Sequence, residues 1–172
     1  ASQTPDPSAS QTPDQSTFTS WDNKYLKDIT DDTIKELVDV YYGDDESKKF
    51  KIKQKHGNIE TWNVSKVKFM SRLFASNKNI NNLDLSKWDV SNVKAMNNMF
   101  YDSNFSNINS LKNWNIKKVT NLTSMFENCQ NLINLYLNTD LDDWDVRNVI
   151  TMHSMFKNSN FNSNLEGWNN KL

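Results

Sequence analysis

The sequence predicts a right-handed α/β solenoid of the leucine-rich-repeat kind. Four repeats of about 24–30 residues, each with one short strand and one short helix, follow an N-terminal helix/strand cap. Three observations predict it. Tryptophan recurs at Trp62, Trp88, Trp114, Trp144 and Trp168, at spacings of 26, 26, 30 and 24 residues. Counted from each Trp as position 0, the same apolar positions return four times: Val or Ile at +2, Val at +5, Met or Leu at +8 and +11, and Phe at +12. Within each copy the apolar period changes. Trp88/Val90, Leu83/Leu85 and Leu135/Leu137 alternate as on a strand, whereas Val93, Met96, Met99 and Phe100 fall at three- and four-residue spacing, as on one face of a short helix.

Composition sets the frame for these elements. Of 172 residues 36% are hydrophobic and 12% aromatic, too much large apolar surface for a disordered chain. Asn occurs 27 times, 26 of them at or after Asn58, against 3 Gly and 3 Pro. The net charge of -1 gives no nucleic-acid signature. A single cysteine, Cys129, excludes an intramolecular disulfide framework and a multi-cysteine metal site. The chain has no run of 18 apolar residues and opens on Ala1-Ser2-Gln3 without a basic, apolar leader, which reads as a cytoplasmic protein or a mature or trimmed form.

Residues 1–16 are an octamer, ASQTPDPS, followed by a copy with one change, and carry all three prolines; residues 1–20 read as a disordered tether. Residues 21–61 read as a cap. Thr30 is the expected N-cap of a helix, with Asp31 and Asp32 in its first turn, Ile34, Leu37, Val38 and Tyr41 on one face, an Ile29/Ile34 staple and Gly43 as the stop. The lysine-rich run 48–55 follows, and its Phe50/Ile52 alternation reads as a half-exposed strand leading to a Gly57-Asn58 turn. The array occupies 62–172, with repeats 62–87, 88–113, 114–143 and 144–167 and an opening fifth at 168–172.

One copy has too little apolar surface to stand alone, so stacking must bury Trp on Trp, Val on Val and Met on Phe. The Met/Phe stripe could instead line a ligand groove, but its fixed register in every copy favours a core. Ser65 and Ser91 could cap the short helices of the first two copies; Lys117 and Arg147 hold the same place later and cannot. Each Trp precedes an acid or an amide: Asp22, Asn63, Asp89, Asn115, Asp145 and Asn169. A carboxylate dyad from Asp89 and Asp145 is the catalytic reading; Asx turns that fix the local backbone are the favoured one.

The run Trp88-Asp89-Val90-Ser91-Asn92-Val93 with Met96, Met99 and Phe100 resembles the repeat of bacterial surface proteins of the mycoplasma DUF285 type, also called BspA-like leucine-rich repeats. The copies at Trp62 and Trp144 fit nearly as well, and the copy at Trp114 more loosely. The resemblance covers about residues 30–172. It implies a cell-surface protein, lipid-anchored or secreted, that adheres to host proteins or glycans. The chain departs from the family pattern in the residue after the Phe, in its loops and in its short array.

No phosphate loop and no nucleophile–histidine–acid spacing is present. His56 and His153 are isolated, and Cys129 aligns with Ser103 and Ser159 as a small loop residue. Asp140, Asp142, Asp143 and Asp145 are either a solvated acidic bulge or a calcium site, which would need six or more oxygens. Residues 28–46 carry eight acids and one base, and residues 48–72 eight bases and one acid. The two blocks either neutralise each other or leave Lys49, Lys51, Lys53 and Lys55 as a polyanion contact.

The expectation is a non-enzymatic binding module without a cofactor or resident metal. Lys87, Asp89, Asn113, Asn115, Asp143 and Asp145 are the outward-facing candidate contacts. The expected partner is a host protein or glycan, not a nucleic acid, and membrane attachment would come only from a lipid anchor upstream of residue 1. A variable surface antigen or spacer is the alternative, and a polysaccharide-active enzyme the least favoured. The open array end near Trp168 predicts weak self-association.

Overall fold

A computed structural model describes residues 19–132 and 141–168; the body of the tether, the Leu135/Leu137 pair and Asp140 lie outside them. Helix α1 spans Ser20–Tyr25, α2 Ile34–Tyr42 and α3 Glu46–His56. Beyond them the described residues form no α-helix and no strand, only turns and short 3₁₀ segments at Ile59–Thr61, Ile108–Leu111, Leu141–Asp143 and Glu166–Trp168. The expected α/β solenoid, with a strand and a helix in each repeat, is therefore not what this chain builds. It builds a stack of coils made from turns.

Two misread elements account for the difference. The lysine-rich run is helix α3, not a strand. Asp45 caps it by accepting from the Lys48 N–H, Glu46 lies in its first turn, Lys53, Lys55 and His56 lie in its last, and Gly57 ends it at φ +75°. These are the signs that suit a helix dipole, and they outweigh a single Phe50/Ile52 alternation. Ile52 is fully buried and Phe50 points to solvent. Helix α2 holds the expected Ile34, Leu37 and Val38 in the core, but begins later than expected, after a turn in which the Thr33 hydroxyl accepts from the Thr30 N–H.

The second misreading is the repeat's short helix. Positions +10 and +14 adopt positive φ in all four copies: Arg72, Asn98, Ser124 and Ser154 at +10, and Ser76, Asp102, Asn128 and Asn158 at +14. A residue in the left-handed region breaks a right-handed helix and instead suits the third position of a tight turn. Such turns close from Met96 O to Met99 N (3.1 Å) and from Phe100 O to Ser103 N (3.1 Å), and the other copies repeat them. Asn and Asp tolerate this conformation better than most side chains. In a chain with 3 Gly, part of the Asn excess thus does the work of glycine.

Alternating φ turns every second peptide unit along the stack. The N–H groups at +8, +10, +12 and +14 donate to the carbonyls at +7, +9, +11 and +13 of the next coil: Met70 to Ala95, Arg72 to Asn97, Phe74 to Met99 and Ser76 to Tyr101, at 2.8–3.0 Å. Coil 2 repeats the pattern on coil 3, from Met96 to Asn121 through Asp102 to Glu127, and coil 3 on coil 4, from Leu122 to Thr151 through Asn128 to Lys157. The accepting carbonyl and the donating N–H of neighbouring bonds belong to one peptide unit. Each interface therefore extends four continuous chains of hydrogen bonds, which polarise one another. Parallel pairing is confined to one residue per coil, Phe69 with Ala95, Ala95 with Asn121 and Asn121 with Thr151.

Side chains stack in register with the backbone. Phe74, Phe100, Phe126 and Phe156 form one column, with ring centroids 5.4–5.5 Å apart and planes within 7°. Val93, Met96, Met99 and Phe100 are fully buried, as are Val119, Leu122, Met125 and Phe126 one coil on. The cap closes the first coil. Tyr41 packs edge-on against Trp62 (5.6 Å), and the Asp31 carboxylate accepts from the Lys68 and Phe69 N–H groups at 2.6 and 2.9 Å. At Lys68 it stands in for a preceding coil, since the next +6 amide, that of Lys94, donates back to Lys68 O.

Candidate ligand-binding surface

Each coil turns a corner between +2 and +5, closed by a bond such as Val93 N to Val90 O (2.9 Å). Val90 and Val93 point inward and are buried, so the residues between them face out. At the base of the corner the +1 side chain accepts from the +3 N–H: Asp89 from Ser91 (3.0 Å), Asn115 from Lys117 (3.3 Å) and Asp145 from Arg147 (3.4 Å). These Asx turns fix the direction in which +3 and +4 leave the backbone.

Amide ladders hold the corners together across coils. Asn92 Nδ2 donates to Ser65 O (2.9 Å), Asn148 Nδ2 to Lys117 O (2.6 Å), and Lys118 Nζ to Asn92 Oδ1 (2.7 Å). Lys94 of coil 2 and the residues from +3 to +6 of coils 3 and 4 then enclose an open groove of about 730 Å³. Its walls are Lys94, Lys117, Lys118 and Arg147, and Thr120, Asn148, Val149 and Ile150 complete it. Ile150 is 84% exposed, the most exposed large apolar side chain described. No carboxylate lines the groove. Arg147 is held at its edge by a two-pronged contact with Asp145 (2.7 and 2.6 Å), which draws the Asp145 carboxyl down to about 2. Cations around an apolar patch can bind an anionic group.

The residues singled out from sequence flank each tryptophan. Lys87, Asn113 and Asp143 at -1, and Asp89 and Asn115 at +1, are exposed; Asp145 at +1 is half-buried. None lies in a strand: Asp143 ends the 3₁₀ segment Leu141–Asp143 and the others lie in or beside turns. The +1 side chains are committed to the Asx turns at the rim of the basic groove, and the Ser91 bonds hold the Asp89 carboxyl below the usual carboxylate range. Of the acidic cluster, Asp142 accepts from the Gly167 N–H (2.6 Å) and Asp145 pairs with Arg147. No group of three or more His, Cys, Asp or Glu converges on a metal position among the described residues.

The lysines of α3 do not form one row, because a helix turns alternate residues to opposite sides. Lys49 pairs with Glu46 (2.6 Å), Lys51 with the buried Asp22 (2.8 Å), and Lys53 lies over the Tyr41 ring (5.4 Å); Lys55 is exposed near the helix end. The two charge blocks also meet where Lys66 reaches Asp28 (2.6 Å). The groove residues Lys94, Lys117 and Lys118 were not singled out from sequence. Their signal was present as cations at outward positions of neighbouring copies.

A cap of three helices on a stack of turn-built coils defines a small repeat protein. A family model described as "Mycoplasma protein of unknown function, DUF285" matches residues 15–136 and 105–172, and the chain belongs to that family. Neither the curated proteins nor the solved structures yielded a match. No helix among the described residues is long and apolar enough to cross a membrane.

Proposed function

We propose that the chain is a non-enzymatic binding module of the cell surface, lipid-anchored or secreted, which recognises an anionic face of a host protein or glycan. The observation that supports this reading most is the groove of Lys94, Lys117 and Lys118 around exposed Ile150, free of carboxylates. Clustered cations raise the local concentration of an anionic partner, and the apolar patch adds affinity that salt does not screen. The coil-to-coil hydrogen bonds fix the backbone beneath this surface, so the ordering cost of binding falls on the lysine and arginine side chains.

A screen of immobilised matrix proteins and acidic glycans tests the reading. Saturable, salt-sensitive binding that falls at least tenfold in Lys94→Glu/Lys118→Glu, but not in Lys49→Glu/Lys53→Glu, is the expected result. Binding unchanged by the groove variant, or no binding at all, overturns it. The alternative, a surface antigen or spacer without a fixed ligand, draws on the near-identity of the three coil interfaces, which lets coils be gained or lost without a new kind of contact. The gene sequence upstream of Ala1 decides lipid anchoring: a signal peptide ending in a lipobox cysteine supports it.

A further inference from the structure

A second, smaller pocket lies where the cap meets the first coil, and it shares no residue with the basic groove. Its volume is about 370 Å³, within the range of about 300–1,000 Å³ common for small-ligand sites. Three segments build it. Helix α2 ends in Tyr41 and Tyr42, whose rings stand 5.3 Å apart at 69° and give two walls that meet at a steep angle. Tyr41 is fixed in turn by its edge-on contact with Trp62. After Gly57 the chain turns through Ile59–Thr61, which buries Ile59 and leaves Asn58 and Glu60 exposed. In coil 1 the Leu83 N–H donates to Ile80 O (3.3 Å), and this turn buries both apolar side chains while Asn79 and Asn82 stay exposed at the rim.

The pocket thus has an apolar floor of Ile59, Ile80 and Leu83, aromatic walls, and a rim of three amides and one carboxylate. The amides of Asn58, Asn79 and Asn82 can each donate and accept, and the Glu60 carboxylate accepts at two oxygens. Burial, followed by the nearby Tyr41 and Glu60, pushes the Tyr42 phenol above its ordinary value, so it stays protonated and able to donate. A sugar ring presents the complement: neighbouring hydroxyls that donate and accept, on a ring whose apolar C–H face suits an aromatic side chain. An anion is disfavoured, because among the described residues no Lys or Arg lines the pocket and Glu60 does. A cation is disfavoured too, because Lys53 already lies over the Tyr41 ring (5.4 Å). We infer that this pocket binds the uncharged terminal sugar of a glycan.

The test follows ring and side-chain amide resonances of the full chain by NMR. The chain is titrated with the methyl glycosides of glucose, galactose, mannose and N-acetylglucosamine, in low and in high salt. At least one glycoside should shift Tyr42 and the Asn58 and Asn82 side-chain amides saturably, with the same Kd at both salt levels. Glu60→Gln/Asn82→Ala should raise that Kd at least tenfold; both positions are exposed, and Gln keeps an acceptor for the Asp84 N–H. Lys94→Glu/Lys118→Glu should leave it unchanged, so failure of groove binding and failure of this site are read separately. The inference is overturned if high-millimolar glycoside shifts none of these resonances, or if affinity survives in Glu60→Gln/Asn82→Ala. It is also overturned if tetramethylammonium shifts them where no glycoside does, because the pocket then takes a cation.

Discussion

The indole Nε1 of Trp114 donates to the carbonyl of Leu85 at 3.0 Å, and that carbonyl also accepts the backbone N–H of Trp88 at 3.0 Å. One oxygen thus closes the turn that leads from coil 1 into coil 2 and ties coil 3 to it. The pattern recurs at Ile59, Leu111 and Leu141, which receive the indoles of Trp88, Trp144 and Trp168. This second bond explains why the position holds tryptophan rather than another large apolar residue: phenylalanine fills space but cannot donate.

Trp114→Phe should therefore cost about 2 kcal/mol in chemical denaturation, from one lost buried hydrogen bond and reduced packing. Trp21 offers the contrast. Its Nε1 is buried without an acceptor among the described residues, so Trp21→Phe should change stability by less than about 1 kcal/mol, the lost packing being offset by removal of an unpaired donor. Equal losses at both sites would contradict the assigned role of the indole.

Asp31 lies in the cap but serves the first coil. Asp31→Ala should lower stability by about 1 kcal/mol, with two charge-assisted bonds lost at an exposed site. Hydrogen exchange should accelerate first at the Lys68 and Phe69 amides. Acceleration confined to α2, with those two amides unchanged, would show that Asp31 supports only the turn that leads into α2.

The Asp22–Lys51 pair joins α1 to α3. Lys51 and the Thr19 cap bonds lower the Asp22 carboxyl from its ordinary 3.8 to about 2. A carboxyl depressed by folding contributes stability above its unfolded pKa and loses it as pH falls through the folded value. Wild type should therefore lose melting temperature more steeply than Asp22→Asn between about pH 4 and 2. Parallel curves over that range would remove the pair from the account.

Cys129 occupies the +15 position and is fully buried, with Sγ 2.8 Å from Phe100 O; burial pushes its thiol pKa upward. Thiol reagents should modify it only on unfolding, at the denaturation midpoint seen by tryptophan fluorescence. Cys129→Ser should cost less than about 1 kcal/mol, since Ser103 and Ser159 hold the same place in coils 2 and 4. Rapid labelling of the native chain would contradict the packing described for this corner.

The tryptophan register was plain in the sequence because burial is periodic whatever the backbone does. Val90, Val93, Met96, Met99 and Phe100 were expected inside and are inside. The backbone that carries them was misread for the same reason. A run of tight turns with alternating φ puts +5, +8, +11 and +12 on one side, just as a helical turn would. Only the polar residues of the run distinguish the two, through Asn98, Asp102, Asn128 and Asn158 at the left-handed positions. Lys117 and Arg147, where a helix would want a cap, pointed the same way. The groove was less legible. Lys94 belongs to coil 2 and Lys117, Lys118 to coil 3, and only stacking in register makes them neighbours.

The coils are built from turns with left-handed residues at +10 and +14. Asn98 tests this most directly, because turn and helix predict opposite signs. Denaturant midpoints should be compared for wild type, Asn98→Gly and Asn98→Ala. At φ +58° glycine carries no steric penalty, whereas alanine costs about 1 kcal/mol, so Gly should be at least as stable as Asn, and Ala least stable. In a helix the order reverses, with Ala above Gly by about 1 kcal/mol. Finding Asn98→Ala to be the most stable of the three would rule out a left-handed turn residue at Asn98.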